Sequence, residues 1–327
     1  MEGTESMGMK VLVTGAAGFI GSHVVEALLN RGDAVVGLDN FNDYYDPGRK
    51  RANVETALGH AAYRLVEGDI RDASLLERTF QAHGFDKVCH IAAMAGVRYS
   101  IEHPDLYESV NVGGTMNLLE ESREHGVRAF VFASSSSVYG ASNPVPFRED
   151  ADVTRPISPY AATKVAKEVL AYTYHHLYGL NCTGLRFFTV YGPRGRPDMA
   201  PYLFTRWISE GHPLRQFGDG TSRRDYTYID DIVSGVVAAL DAELPYEVIN
   251  LGRGETISLS GFIHLVEDVV GMDANIVREP MKPGDVPITH ADISKARKLL
   301  GYDPQVPVRE GMERFWAWYK EAVAGVA

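Results

Sequence analysis

Two cysteines in 327 residues, Cys89 and Cys182, are too few for a disulfide framework. Both sit inside apolar segments and read as buried thiols of a reducing compartment. No apolar run approaches the roughly 20 residues needed to span a bilayer, so no membrane role is expected. Residues 1–8 are polar and lack an apolar signal core; they read as a loose extension, and the chain as cytoplasmic. Positive charge is also short: 32 Lys and Arg stand against 43 Asp and Glu, a net charge of −11. That balance argues against a general nucleic-acid binder, although a local basic pocket can still hold phosphates. There is no internal repeat and no low-complexity segment, and we assign no metal site. What remains, 45% hydrophobic and 23% charged, is an ordinary soluble globular protein with one large core or two coupled domains.

What the chain does have is alternation. Residues 10–14 (KVLVT) are a short continuous apolar run, the pattern of a parallel strand covered on both faces. GAAGFIG follows at 15–21, then a helical pattern over 22–31. Strand, glycine turn and helix make a phosphate site, because glycines let backbone amides approach a pyrophosphate at a helix N-terminus. Gly15, Gly18, Phe19, Ile20 and Gly21 are the candidate contacts. The next strand, 34–38, ends in Asp39, 18 residues after Gly21. An acid there accepts from the adenosine ribose hydroxyls and repels a 2′-phosphate, which favours NAD over NADP. Asn40 follows as a further cofactor contact.

Further strands are expected at 63–66, 87–92, 129–133 and 180–188, with helical stretches between, including 105–125. This gives an α/β fold, a Rossmann-like doubly wound parallel sheet. Gly68-Asp69-Ile70 ends the third strand, where ligands gather in open α/β sheets. Asp69 either bonds the adenine amino group or caps the helix starting near Ala73, with Ile70 beside it. Small residues at 92–96, from Ala92, suit backbone passing close to a cofactor. His90 reads as a satisfied core histidine.

One stretch organises the rest: Ser158-Pro159-Tyr160-Ala161-Ala162-Thr163-Lys164. Ser158 suits an N-cap and Pro159 the first helical position. Tyr160 and Lys164 then share a helix face, four residues apart. An ammonium beside a phenol lowers the tyrosine pKa, making Tyr160 a general base and acid. The serine run 134–137 ends the fifth strand, placed to donate to a substrate oxygen and relay its proton to Tyr160.

Beyond Val190 the texture changes to a loop rich in Pro, Gly and Arg. The boundary is expected there. Residues 9–190 with about 226–252 read as the cofactor domain, and 191–225 with 253–327 as a smaller substrate domain. Gly218-Asp219-Gly220 reads as a hairpin-type turn. Asp230 and Asp231 open a helix over 228–240, where the dipole favours negative charge. Phe315, Trp316 and Tyr319 read as packing.

GAAGFIG, SSSSVYG, YAATK and RFFTVYGPRGRPDMA stand in that order. Together they resemble the extended short-chain dehydrogenase/reductase family, in its nucleotide-sugar epimerase branch, from about residue 9 to 300. The resemblance implies Ser135, Tyr160 and Lys164 as catalytic triad, and Asp39 and Asp69 holding the adenosine half of NAD. It places Arg224, in RRDYTYIDD, on the UDP phosphates, with Arg98 and Asp285 among the substrate contacts. Lys282 departs from the pattern, since the family often has an arginine there, and a lysine cannot make the bidentate fork. Helices near 105–125 and 159–178 resemble those that pair across a homodimer.

All these enzymes oxidise the sugar at C4. Dehydratases carry an Asp-Glu pair after the catalytic serine, and UDP-glucuronate decarboxylases a Glu at the position of Ser137. Here both places are serine, Ser136 and Ser137, so epimerisation is the simplest chemistry left. The run from Thr189 to Ala200 resembles the UDP-glucuronate 4-epimerases. Arg196 offers a uronate carboxylate a charge-assisted pair, and Thr189 and Ser136 offer hydroxyls. The alternative for Arg194 and Arg196 is that they stitch a surface loop. The expected reaction interconverts UDP-glucuronate and UDP-galacturonate through a 4-keto intermediate. A UDP-glucose or UDP-N-acetylglucosamine 4-epimerase is the alternative, and a UDP-glucuronate decarboxylase comes after it.

Overall fold

The structure is a computed structural model that describes residues 8–281, 286–323 and 325. Asp285 and Lys282 lie outside the described residues. Strand β1 (Lys10–Thr14) runs through the glycine turn into helix α1 (Phe19–Asn30). Then β2 (Ala34–Asp39), α2 (Pro47–Leu58), β3 (Tyr63–Glu67), α3 (Ala73–His83) and β4 (Lys87–His90) alternate. Helices α4 (Val97–Glu102) and α5 (Pro104–Tyr107) lead through a π-helical turn, Glu108–Gly113, into α6 (Gly114–Glu124). Strand β5 (Ala129–Ser135), helix α7 (Pro159–Tyr178) and strand β6 (Cys182–Phe187) follow.

The second half is shorter-ranged. It runs β7 (Thr189–Tyr191), α8 (Ala200–Ser209), β8 (Pro213–Phe217), β9 (Arg223–Arg224), β10 (Tyr226–Tyr228) and α9 (Ile229–Ala242). After it come β11 (Tyr246–Leu251), β12 (Ile257–Ser258), α10 (Leu259–Val270), β13 (Asn275–Glu279), α11 (Ser294–Leu300) and α12 (Val308–Ala322). Among the described residues no helix is long and apolar enough to cross a membrane.

The main sheet has seven strands in the order β11-β6-β5-β4-β1-β2-β3, every pair parallel. The order reverses at β1, so β1 and β4 splay their C-terminal ends over the crevice where such sheets bind ligands. Burial explains the composition: β1, β4, β5 and β6 are buried almost throughout, as strands with helices on both faces must be. His90 is fully buried between the hydroxyls of Thr14 (2.7 Å) and Thr115 (2.9 Å), a satisfied core histidine. Phe315 and Tyr319 are buried in the main core.

One local expectation is corrected and two gain detail. The helical stretch expected over 105–125 forms and includes the π-helical turn; there the Asn111 side chain donates to Met94 O (3.0 Å) and accepts from Met94 N (2.8 Å). Gly218-Asp219-Gly220 does not close a hairpin. The Asp219 carboxylate accepts from Thr221 N and Oγ1, and the chain is redirected so that β8 pairs in parallel with β13 while β9 pairs antiparallel with β12. Asp231 does more than face a helix dipole: its carboxylate is buried and accepts from Gln305 N (2.8 Å) and Val306 N (3.1 Å). Each was a long-range decision.

Helix α7 is pinned to the sheet by a buried ion pair. Arg186 of β6 forks onto Glu168 of α7, Nε to Oε1 at 2.9 Å and Nη2 to Oε2 at 2.7 Å. Ser134 of β5 donates to the same carboxylate at 2.6 Å. Removing one partner of such a pair strands the other charge in a low dielectric. Arg186→Leu is therefore expected to cost about 3–5 kcal/mol. Urea unfolding of the variant against the parent protein checks this; a loss within about 1 kcal/mol would match an exposed pair instead.

Candidate active site

Ser158 caps α7, accepting from Ala161 N at 3.1 Å, and Pro159 takes the first turn. This aims Tyr160 at the end of β5, where Ser135 is close enough to lower the pKa of its phenol. Ser135 in turn donates to Ser137 Oγ at 3.1 Å and accepts from Ser137 N at 3.2 Å. The expected Tyr160–Lys164 pair is side by side, with Nζ 5.5 Å from the phenol ring centre. Its electrostatics differ from the sequence expectation. Lys164 is buried and gives its ammonium to Ala133 O at 2.9 Å, so it is not turned at the phenol oxygen. Burial lowers Lys164 to about 7, against the opposing pull of Glu168. Burial outweighs that and raises Tyr160, against Ser135 and the Arg196 charge. Desolvation outweighs the neighbour.

Every described candidate residue lines one continuous cavity of about 660 Å³. At one end lie Gly15, Gly18, Phe19, Ile20, Gly21, Asp39, Asn40, Asp69, Ile70 and Ala92. Ser135, Ser136, Ser137, Tyr160 and Lys164 line it too, as do Arg98, Thr189, Arg196 and Arg224. Helix α1 starts at Gly18 with no side-chain cap and no acid in its first turn, leaving its amides for an anion. The turn has no room for a side chain at Gly21: a Cβ there would stand 2.0 Å from Gly15 O. A group that needs close backbone approach fits this cradle.

Asp39 is buried and accepts from Ala17 N (3.0 Å) and Phe41 N (2.9 Å), so one carboxylate fixes both the glycine turn and the loop after β2. Burial raises its pKa, against those backbone donors and Lys50. Asp69 does not cap α3; Asp72 does, accepting from Leu75 N at 3.0 Å. Asp69 is held by Arg71 Nη2 (2.8 Å) and Asn40 Nδ2 (2.9 Å), and Arg71 is the main cause of its fall to about 2. It is an ionised acceptor at the rim.

The two arginines of the Pro-Gly-Arg loop part company. Arg194 stitches the loop to α1, through Glu26 at 2.7 Å and Ser22 at 3.4 Å. Arg196 turns inward beside Asp198, and its charge is felt at both Tyr160 and Lys164. Arg224 bonds Arg223 O at 2.9 Å, and the Arg98 guanidinium stands 5.3 Å from the ring of Phe217.

A single family model, described as GDP-mannose 4,6 dehydratase, matches residues 12–315. The chain belongs to the GDP-mannose 4,6 dehydratase family. Within it the chain is 47% identical to a UDP-glucuronate 4-epimerase of Thermodesulfobacterium geofontis, over 95% of this chain and 96% of that one. It is 47% identical to UDP-glucuronate 4-epimerase 4 of Arabidopsis thaliana, over 97% of this chain and 77% of that one. Among solved structures, the UDP-glucuronic acid 4-epimerase of Bacillus cereus in complex with UDP-glucuronic acid and NAD superposes with a TM-score of 0.90. That pair is 39% identical over 96% of this chain and 99% of the other.

Two residues of this GDP-mannose 4,6 dehydratase family member went unnoticed in the sequence reading. Tyr44 follows Asn40 in the loop after β2, and Asp198 lies inside the RPDMA string; both line the cavity and both touch Arg196. A basic residue followed two positions later by an acid was the available signal. The tight glycine turn generates a test. Gly21→Ala must push α1 off the turn, at an expected cost of about 1–3 kcal/mol and with loss of nucleotide retention. Denaturant unfolding and the absorbance of co-purified cofactor read the two effects; unchanged values would mean the turn yields freely.

Proposed function

We propose that the chain is an NAD-dependent 4-epimerase that interconverts UDP-glucuronate and UDP-galacturonate. The observation that carries this is Arg196, a cation turned into the cavity beside Tyr160, with serines at 136 and 137 where carboxylates would drive elimination or decarboxylation. The fit to NAD rests on the tight turn at Gly15, Gly18 and Gly21 and on Asp39, an acid suited to ribose hydroxyls and opposed to a 2′-phosphate. The similarity to UDP-glucuronate 4-epimerases along nearly the whole chain supports the same reading.

When bound, NAD supplies reversible hydride acceptance at C4. The protein's residues do the rest. Tyr160 takes the C4 hydroxyl proton, Ser135 holds that oxygen by donating to it, and Lys164 balances the phenolate charge. Arg196, Thr189 and Ser136 engage the C6 carboxylate, and Arg98 and Arg224 the diphosphate. The 4-keto sugar turns over and receives the hydride on its other face, with Tyr160 returning the proton. Residues 9–190 with about 226–252 form the cofactor part, and 191–225 with 253–327 the sugar part. The working form is a homodimer joined through α6 and α7, where Met116, Val169, Tyr172 and Leu177 are 38–60% exposed despite their size.

Proton NMR of the purified enzyme with UDP-glucuronate and no added cofactor tests the reading. A UDP-galacturonate signal is expected. UDP-xylose as the main product would make it a decarboxylase, and turnover of UDP-glucose alone a neutral-hexose epimerase.

The pKa shifts fix a second outcome. Lys164 sheds its proton near pH 7, well before Tyr160, so above that pH the pair shares a single proton. That charge state includes the phenolate–ammonium tautomer that does the work. kcat/KM should therefore rise with pH through about 7 and level off above it. A profile flat from about pH 5 to 9 would place the first proton loss elsewhere.

A further inference from the structure

Arg196 is gripped by two groups with no role so far. Asp198 accepts from its Nε at 3.0 Å and from its Nη2 at 2.5 Å. Tyr44, from the loop after β2, donates its hydroxyl to the same carboxylate at 3.2 Å and sets its ring 5.5 Å from the guanidinium carbon. The grip comes from two distant segments: Asp198 lies two residues from the arginine, Tyr44 more than 150 away.

Neither segment can drift easily. The Tyr44 loop is fixed at Asp39, which accepts from Phe41 N, and at Asn42, whose backbone and side-chain oxygens accept from buried Lys50 at 2.8 and 2.7 Å. Behind the cluster, Gly96 has a φ of +106°, and a Cβ there would stand 2.9 Å from the Tyr44 oxygen and 3.5 Å from Arg196 Nη2. That backbone is itself tied, since Tyr107 donates to Ala95 O at 2.8 Å and Gly96 O at 2.9 Å. Arg196 therefore sits in a walled slot. Its Nε–Nη2 edge is spent on Asp198 and Nη2 also reaches the Tyr44 hydroxyl at 3.5 Å, which among the described residues leaves Nη1 for a second carboxylate.

We propose that Asp198 and Tyr44 are positioning residues that lock the Arg196 guanidinium, and that this lock decides between epimerisation and loss of carbon dioxide from a uronate. The inference rests on the uronate reading above. Once C4 is a ketone, the C6 carboxylate belongs to a β-keto acid. Decarboxylation breaks C5–C6 and leaves its electron pair as an enolate across C5, C4 and the C4 oxygen. C5 then takes a proton, the ketone takes back the hydride, and a UDP-pentose results. The bond breaks only when C5–C6 lines up with the carbonyl π system, that is, when C6 stands perpendicular to the carbonyl plane. A fixed guanidinium keeps C6 near that plane. A guanidinium free to rotate follows the carboxylate out of it.

Charge and position then separate in the kinetics. Asp198 neutralises Arg196, so its removal leaves an uncompensated cation that still attracts the uronate, while the orientation needed for clean turnover is lost. Asp198→Ala and Tyr44→Phe are assayed as holoenzymes with UDP-glucuronate, products being resolved by proton NMR. For Asp198→Ala, kcat for epimer should fall about tenfold to a hundredfold with KM no higher than the parent's, and a UDP-pentose should appear. Tyr44→Phe keeps the ring and loses only the hydroxyl, so a smaller change in the same direction is expected, with an unchanged melting temperature showing that the variant folds. Parent-like kcat with no pentose in both variants would reduce Asp198 to a loop tie and overturn the inference. So would a raised KM at unchanged kcat, which would mean binding alone. A parent enzyme that leaves UDP-glucuronate untouched would overturn the uronate reading itself, and this inference with it.

Discussion

The guanidinium of Arg186 and the carboxylate of Glu168 meet at 2.7 Å inside the protein, with side chains 3% and 6% exposed. Two such charges are tolerated in a core only when their remaining hydrogen-bonding capacity is used. Here it is. Ser134 donates to Glu168, Arg186 Nη1 reaches the Tyr139 hydroxyl at 3.0 Å, and that hydroxyl donates to Asn250 Oδ1 at 2.6 Å. The network joins β5, α7, β6 and β11 in one place. Glu168 lies one turn beyond Lys164 on α7, and Ser134 immediately precedes Ser135 on β5. Fixing Glu168 against Ser134 therefore fixes the register of Tyr160 against Ser135. The position of Tyr160 against Ser135 is thus set by an ion pair that the neighbouring Ser134 of β5 holds.

The second half of the chain has its own buried carboxylate. Asp225, fully buried between β9 and β10, accepts from Arg253 N (2.8 Å), Gly254 N (3.0 Å) and Ala291 N (3.1 Å). Burial raises its pKa, and the backbone donors oppose that rise. Its neighbour Arg224 is thereby held at the cavity wall on a strand of two residues, too short to be rigid alone. Each half of the cavity is thus held by a buried anion with donors on several elements. Arg196, working at the junction, is paired by an anion two residues away.

The cost of this arrangement falls on Tyr160 and Lys164. The burial that positions Tyr160 and Lys164 also disfavours their charged forms, raising the phenol and lowering the ammonium. The opposed shifts drive the two proton affinities apart, so Lys164 gives up its proton before Tyr160 does.

The sequence by itself determined the scaffold. Continuous apolar runs dictate buried parallel strands, the glycines at 15, 18 and 21 dictate a tight turn, and Ser158-Pro159 dictates where α7 begins. These are local consequences of burial, sterics and capping, so seven residues suffice to read them. Ser135, Tyr160 and Lys164 could be singled out for the same reason, being tied to those local features. What only the tertiary structure decided depends on groups far apart in the chain. It turned Lys164 toward Ala133 and away from the phenol oxygen, and sent Asp69 to Arg71 and Asn40. It divided Arg194 from Arg196, and brought Tyr44 across more than 150 residues to the Asp198 carboxylate. A side chain's charge state and direction follow from desolvation and from the partner that reaches it first, and neither is written in its neighbours along the sequence.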